Sequence, residues 1–236
     1  YHQVVWSVES MDDSNEPSIT FTHTSPDGDE NYPGTLKMHV TYSLSSDNAL
    51  TLKYDAISDK VTPFNPTNHS FFNLSGDHSK KILDTIVQIN ASAVTLVDDE
   101  LIPTGEITPV KDTPLDFTSG KALGVDIFAE DHLIQLNGGF DHNFCVDGTG
   151  LRLHAVVTHP DTGRIMEVYS DMPGLQLYTF NKGNHATGKN GVIMSDHTAL
   201  CLESQFYPDS VNHKNFPFAY LQPNVAFAST TVYKFK

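Results

Sequence analysis

The amino-acid sequence predicts an all-β protein, an antiparallel β-sandwich, and three observations carry that prediction. Several short segments alternate apolar and polar residues with period two, the pattern of a half-buried strand. Turn-forming Pro and Gly, 13 and 15 of them, are spread along the chain. Helical periodicity is confined to one short stretch.

In chain order, Pro26-Asp27-Gly28 is the first clear turn. Leu50-Thr-Leu-Lys-Tyr54 alternates strictly and reads as a strand. Ser119 to Phe128 is the candidate helix; Ser119 can cap it and Gly124 weakens it. Leu151-Arg-Leu-His-Ala155 alternates again and continues into Val156 and Val157. His159-Pro-Asp-Thr-Gly-Arg164 then makes a hairpin turn, followed by strands at 165–169 and 175–180. No repeat, low-complexity tract or composition break marks a linker, so residues 1–236 read as one domain with long loops.

At 236 residues the chain can bury a sizeable core without disulfides or metals. Asp plus Glu number 29 against 14 Lys plus Arg, a formal net charge of −15. Such a surface repels phosphate backbones and anionic membrane faces, which disfavours nucleic-acid and lipid partners. No apolar run approaches the roughly 20 residues of a membrane helix. The expectation is an acidic, cytoplasmic, globular protein with neutral small ligands.

Cys145 and Cys201 cannot build a disulfide framework; one bridge is conceivable, but two reduced, buried thiols are expected. Neither belongs to a CxxC pair, which speaks against a thiolate-rich zinc site. Asn-x-Ser sequons at Asn68, Asn73 and Asn90 are weak evidence for secretion. The chain opens at Tyr1 without an initiator Met, which reads as an internal start.

Three segments do not behave as strands. Asn65-Pro-Thr-Asn-His-Ser-Phe-Phe-Asn-Leu-Ser-Gly76 packs amides and hydroxyls around His69. It reads either as a rigid turn braced by side-chain-to-backbone bonds or as a loop that fixes an imidazole; taken alone, the first reading is favoured. In Gly138-Gly-Phe-Asp-His-Asn-Phe144 the Gly pair allows close backbone approach. Asp141 and His142 are neighbours on a strand and point to opposite faces, so one metal does not readily take both. Asp141 accepting hydroxyls is chemically easier. In Leu200-Cys-Leu-Glu-Ser-Gln205, Glu203 follows an apolar run, where a carboxylate is either functional or at a strand end reaching water.

Taken together, the chain resembles the aldose 1-epimerase (galactose mutarotase) family. Asn68-His-Ser-Phe-Phe-Asn-Leu74 resembles its Asn-His-x-Tyr/Phe-Phe-Asn-Leu motif, and Phe140-Asp-His-Asn143 its Tyr/Phe-Asp-His-Asn element. Pro173-Gly-Leu-Gln-Leu-Tyr178 resembles the Pro-Gly-x-Gln-x-Tyr strand. Leu202-Glu-Ser-Gln205, Pro208-Asp209, Asn215-Phe-Pro217 and Leu221-Gln-Pro223 follow the closing pattern in order. The resemblance implies a galactose-mutarotase-like β-sandwich. It also implies interconversion of the α and β anomers of free aldoses such as galactose and glucose, with no cofactor or metal. Glu203 would be the general base at the anomeric O1 and His69 the general acid at the ring oxygen O5. Asp141 would hold sugar hydroxyls, and Gln176 and Gln205 are further candidates for that role. Ordinary pKa values near ~4.3 for Glu and ~6.5 for His leave the base ionised and the acid in need of a nearby carboxylate.

The remaining ten histidines are scattered, most of them reading as surface or loop residues; His142 reads as structural beside Asp141, with a substrate contact as the alternative, and Trp6 as core. The family's Asn-Arg pair, its His-Gly-Gly segment, a second site histidine and a sugar-binding arginine have no counterpart, so the fold is expected to lack its first N-terminal strands. A fragment or processed chain is therefore favoured over a truncated non-enzyme. The competing functions are a non-catalytic sugar-binding or regulatory module and a hexose-phosphate mutarotase; a glycosidase would leave the His69 motif unexplained. A fused or separate epimerase is a conceivable partner, and oligomeric state stays open.

Overall fold

In the computed structural model, which describes residues 1–183, 185–218 and 220–236, the period-two segments become strands. They are β1 (Ser7–Asp12), β2 (Ser18–Ser25), β3 (Leu36–Leu44), β4 (Ala49–Ser58), β5 (Ile86–Ile89), β6 (Ala91–Val97) and β7 (Pro103–Pro109). After β8 (Lys121–Ala122) comes a one-and-a-half-turn helix, α1 (His132–Asn137). Then follow β9 (Asp141–Val146), β10 (Arg152–Thr158), β11 (Ile165–Ser170), β12 (Gly174–Tyr178), β13 (Cys201–Gln205) and β14 (Phe227–Phe235).

Pairing among the described residues gives two antiparallel sheets, in the orders β1-β2-β3-β4-β14-β11-β10-β5-β8 and β13-β12-β9-β6-β7. The chain crosses between them at Asn90. Its N–H donates to the His154 carbonyl at 2.8 Å, its side-chain amide to that of Leu153 at 3.0 Å, and its own carbonyl accepts from Asp147 at 2.9 Å. The core fills the space between the sheets. Leu52, Val87, Ile89, Met166 and Tyr233 face inward from the larger one, and Phe144, Leu175, Leu177 and Leu202 from the smaller. The expected β-sandwich is thus observed. Tyr233 donates its hydroxyl across the core to the Leu202 carbonyl at 2.9 Å, so the one polar atom of that side chain is satisfied. Trp6 is half-buried against a smaller cluster of Leu36, Met38, Ala56, Phe64 and Leu221.

The turns form where expected. Gly28 takes φ +87°, and the 159–164 hairpin closes with Gly163 at φ +67°. The strand expected to run to Phe180 stops at Tyr178, because Phe180 adopts φ +47° and its carbonyl accepts from His197 instead. The candidate helix at 119–128 is a correction. Its centre is β8 followed by a single 3-10 turn at Leu123–Val125. The amides of Leu123 and Gly124 donate outward to the carbonyls of Thr85 and Leu83, at 3.0 and 2.8 Å, and so are unavailable for helical bonds. The α-helix lies just beyond. Asp131 caps it by accepting from the N–H groups of Leu133 and Ile134, and Gly138 ends it at φ +70°. No helix among the described residues is long and apolar enough to cross a membrane.

Candidate active site

The outer face of the smaller sheet carries the polar residues singled out in the sequence. Side chains on a strand alternate, so the register fixes who shares that face. Leu175 and Leu177 of β12 point into the core, which sends Gln176 and Tyr178 outward. Gln176 lies opposite Glu203 on β13 and Asn143 on β9. Tyr178 lies opposite Cys201 and Asp141. Gln176 donates its amide to Asp141 Oδ1 at 2.7 Å, a diagonal contact between neighbouring strands. Gly174 lies opposite Gln205 and Cys145; a Cβ on it would stand 2.5 Å from Asn143 Oδ1 and 2.9 Å from Tyr207 Cδ1.

His69 arrives from a loop that runs alongside the open edge of β13. Asn65 donates to the Phe206 carbonyl at 3.0 Å and accepts from the Phe206 amide at 2.9 Å. Thr67 donates to Ser204 O at 3.1 Å, and Phe72 and Leu200 exchange backbone bonds of 2.8 and 2.9 Å. Asn73 donates to the carbonyls of Lys80, Thr198 and Asp77. Arg164 and Thr162 of the hairpin hold the Leu74 carbonyl, each at 3.0 Å. The braced-turn reading is realised, and the bracing carries the loop past β13 with His69 on it. Its Nε2 stands 3.5 Å from Glu203 Oε1. Its ring tilts against Phe71 and meets Tyr178 edge-on, with centroids 4.9 and 6.0 Å away.

These groups line an open cavity of about 540 Å³. All five residues expected from the sequence are there: His69, Asp141, Gln176, Glu203 and Gln205. Phe71, Tyr178, Asn181, Lys182, Asn137, Leu101 and Pro208 complete the wall. Tyr178 and Phe71 lie inside the recognised motifs. Leu101, Asn137, Asn181 and Lys182 sit on loops or at a helix end that no motif marks. Gly139, at φ +148°, brings the backbone close to Asn181; a Cβ there would meet Asn181 Oδ1 at 2.3 Å. That is the close approach the Gly pair allows.

Burial dominates the electrostatics. Glu203 is only 7% exposed, and burial followed by the neighbouring Asp141 charge pushes its carboxyl up to about 7. The expectation of an ordinary, fully ionised Glu203 at neutral pH is thereby corrected. Asp141 is raised too, chiefly by burial; the Gln176 hydrogen bond, His69 and Lys182 oppose the rise. His142 turns inward. Burial lowers its pKa to about 4, so it is neutral, and its Nδ1 accepts the Asp141 amide at 3.0 Å. Its burial and the bond to the Asp141 amide suit the structural reading. Cys145 and Cys201 are free thiols, Cys201 buried and Cys145 half-buried. Sequence spacing offered no metal motif, yet the ligating atoms of His69, Cys201 and Glu203 lie within 4.8 Å of one another.

Comparison with known proteins gives the family and the fold. The family model for aldose 1-epimerase matches residues 1–234. A mouse galactose mutarotase is 42% identical over 237 residues, which is all of this chain and 66% of the mouse protein. An aldose 1-epimerase of Escherichia coli is 34% identical over 225 residues, 94% of this chain and 64% of that one. The chain thus spans somewhat less than two thirds of these relatives' length. Among solved structures, a galactose 1-epimerase from Lactobacillus acidophilus superposes with a TM-score of 0.86 at 30% identity, covering 99% of this chain and 67% of its own. An aldose epimerase homologue from C. elegans gives 0.86 at 28% identity, covering 98% and 68%.

Proposed function

The chain belongs to the aldose 1-epimerase family, and from that premise we propose that it interconverts the α and β anomers of neutral free hexoses such as D-galactose and D-glucose. The observation that carries the reading is the 3.5 Å approach of His69 Nε2 to Glu203 Oε1 on the cavity floor. O1 and O5 of a hexopyranose are both bonded to C1, so a base for one and an acid for the other must be neighbours. Glu203 takes the O1 proton while His69 protonates O5 and the C1–O5 bond breaks. Rotation of the open aldehyde about C1–C2 and return of both protons closes the ring on the opposite face.

A carboxyl near 7 suits this work, because a general base is most effective when its pKa lies close to the operating pH. Asp141, held by Gln176, would accept hydrogen bonds from the sugar hydroxyls, and Gln205 would accept or donate them. Phe71 and Tyr178 offer ring faces for the apolar C–H side of a pyranose. Lys182 is the one Lys or Arg among the described wall residues, set against the acidic side chains of Asp141 and Glu203. That balance favours a neutral sugar over a sugar phosphate. The two free thiols support a cytoplasmic setting.

Polarimetry of freshly dissolved α-D-galactose and α-D-glucose tests the reading. The protein should accelerate the approach to anomeric equilibrium, and Glu203→Gln and His69→Asn should each lower kcat by about 10²- to 10⁴-fold. Near-normal rates in either variant would refute the assignment. Galactose binding without any acceleration would instead select a binding module.

A further inference from the structure

We infer that His69, Cys201 and Glu203 form a binding site for a thiophilic divalent cation of the Zn²⁺ class. Cys201 and Glu203 are two residues apart on β13 and so present their side chains to the same face. The braced 65–76 loop brings His69 over them. The three donor atoms lie within 4.8 Å of one another, and the His69–Glu203 separation is already 3.5 Å. In a tetrahedral zinc site, bonds of about 2.0–2.3 Å put neighbouring ligand atoms roughly 3.4–3.6 Å apart. Closing on an ion therefore asks for movements of an ångström or so. The half-exposed His69 ring on its loop can supply them. An imidazole, a thiolate and a carboxylate form a mixed N, S, O set that favours Zn²⁺ over Mg²⁺ or Ca²⁺, which want oxygen alone.

The charge distribution fits a cation. Buried Glu203 and half-buried Asp141 set two carboxyl groups on one face of the sheet, and a divalent ion relieves their mutual repulsion. On binding, the Cys201 thiol loses its proton to solvent as the metal–sulfur bond forms, with no change of oxidation state. Because His69 and Glu203 are also the groups assigned to the sugar above, ion and sugar exclude one another. That exclusion rests on the proposed function; the ion site itself does not.

Titration of the whole chain with Co²⁺, a spectroscopic stand-in for Zn²⁺, tests the site in the absence of sugar. The wild-type protein should show a thiolate-to-cobalt charge-transfer band that saturates at one equivalent and is displaced by Zn²⁺. The band should vanish in Cys201→Ser and persist in Cys145→Ser. In His69→Asn, a change at a half-exposed loop position that spares the core, affinity should fall at least about tenfold, the loss that even an outer-shell partner causes. Absence of the band in the wild-type protein, its survival in Cys201→Ser, its loss in Cys145→Ser, or undiminished affinity in His69→Asn overturns the inference.

Discussion

Gln176 Nε2 donates to Asp141 Oδ1 at 2.7 Å, and this contact holds a second carboxylate beside Glu203. The pairing has a kinetic consequence. With Glu203 as the base, kcat/KM should rise as pH increases through about 7, where its carboxyl ionises. Asp141 is the second cause of that elevation, after burial. Asp141→Asn removes the charge, so the acidic limb should move to lower pH. Losing a charged acceptor for sugar hydroxyls should at the same time raise KM by about tenfold or more, the equivalent of ~1.5–3 kcal/mol. Polarimetric pH–rate profiles of both proteins decide it. An unmoved limb in Asp141→Asn would show that the titrating group is not under Asp141's influence.

Glu203 should also cost stability. Its folded pKa, about 7, lies above the ordinary value of 4.5, so the folded state prefers the protonated form. Stability is then unaffected below about pH 4.5 and declines as pH rises from there through about 7. The full effect is on the order of 3 kcal/mol, from roughly 1.4 kcal/mol per pKa unit. Glu203→Gln should therefore raise the unfolding free energy at pH 8 and change it little at pH 4, while turnover collapses. Denaturant unfolding at the two pH values reads this directly; equal differences at both would contradict a buried, desolvated carboxyl.

The inward histidines act with the opposite sign. Burial lowers His142 to about 4 and, with help from the Arg152 charge, His154 to about 3. Both are fully buried or nearly so, and His154 Nδ1 lies 3.2 Å from Ser204 Oγ across the two sheets. An unfolded histidine takes up a proton near ~6.5, which the folded one refuses. Stability from these two groups is complete above about pH 6.5 and should fall by up to ~1.4 kcal/mol per pH unit for each as pH drops toward 4. His154→Gln should remove its own ~1.4 kcal/mol per pH unit from the measured acid slope, in which the opposing rise from Glu203 over the same range offsets about one histidine. Unfolding curves between pH 7 and 4.5 that keep the wild-type slope in His154→Gln would sink the idea.

How much of this was legible beforehand follows the physics of each signal. Strands such as β4 and β10 declare themselves by alternation, because one face is dry and the other wet. The five site residues were legible because they sit in ordered motifs. The register that puts Gln176 opposite Glu203 is a non-local pairing that period-two reasoning does not supply. Leu101 and Lys182 reach the cavity only through the tertiary course of their loops. The helix at 132–137 carried its own signals in Asp131 and the Gly138-Gly139 stop, yet its single turn and a half is too short for periodicity. The 119–128 stretch failed as a helix because its amides bond to the 83–85 segment, a tertiary choice over a local one.

The 65–76 loop gives the last prediction, since its rigidity is what places His69. Asn73 directs its amide at the carbonyls of Lys80, Thr198 and Asp77, at 2.9, 2.9 and 3.3 Å, while its Oδ1 accepts the Ser75 amide at 3.0 Å. Asn73→Asp keeps the shape and the Ser75 bond but turns a carboxylate oxygen toward three carbonyls. Each lost hydrogen bond is worth roughly 1 kcal/mol, and Asn73 is only half-buried with its bonds to Asp77 and Lys80 near solvent, so a total loss of ~1–3 kcal/mol is expected. Asn73→Ala, which removes donor and acceptor without introducing repulsion, should lose less. Because the site sits at the other end of the braced loop, Asn73→Ala should lower kcat severalfold while leaving KM near the wild-type value, as Asp141, Gln176 and Gln205 hold the sugar from the sheet. Denaturant unfolding of both variants and polarimetry on Asn73→Ala test the chain of cause. If Asn73→Asp is as stable as the wild-type protein, or if Asn73→Ala changes KM alone, the loop does not position His69 in the way its hydrogen bonds suggest.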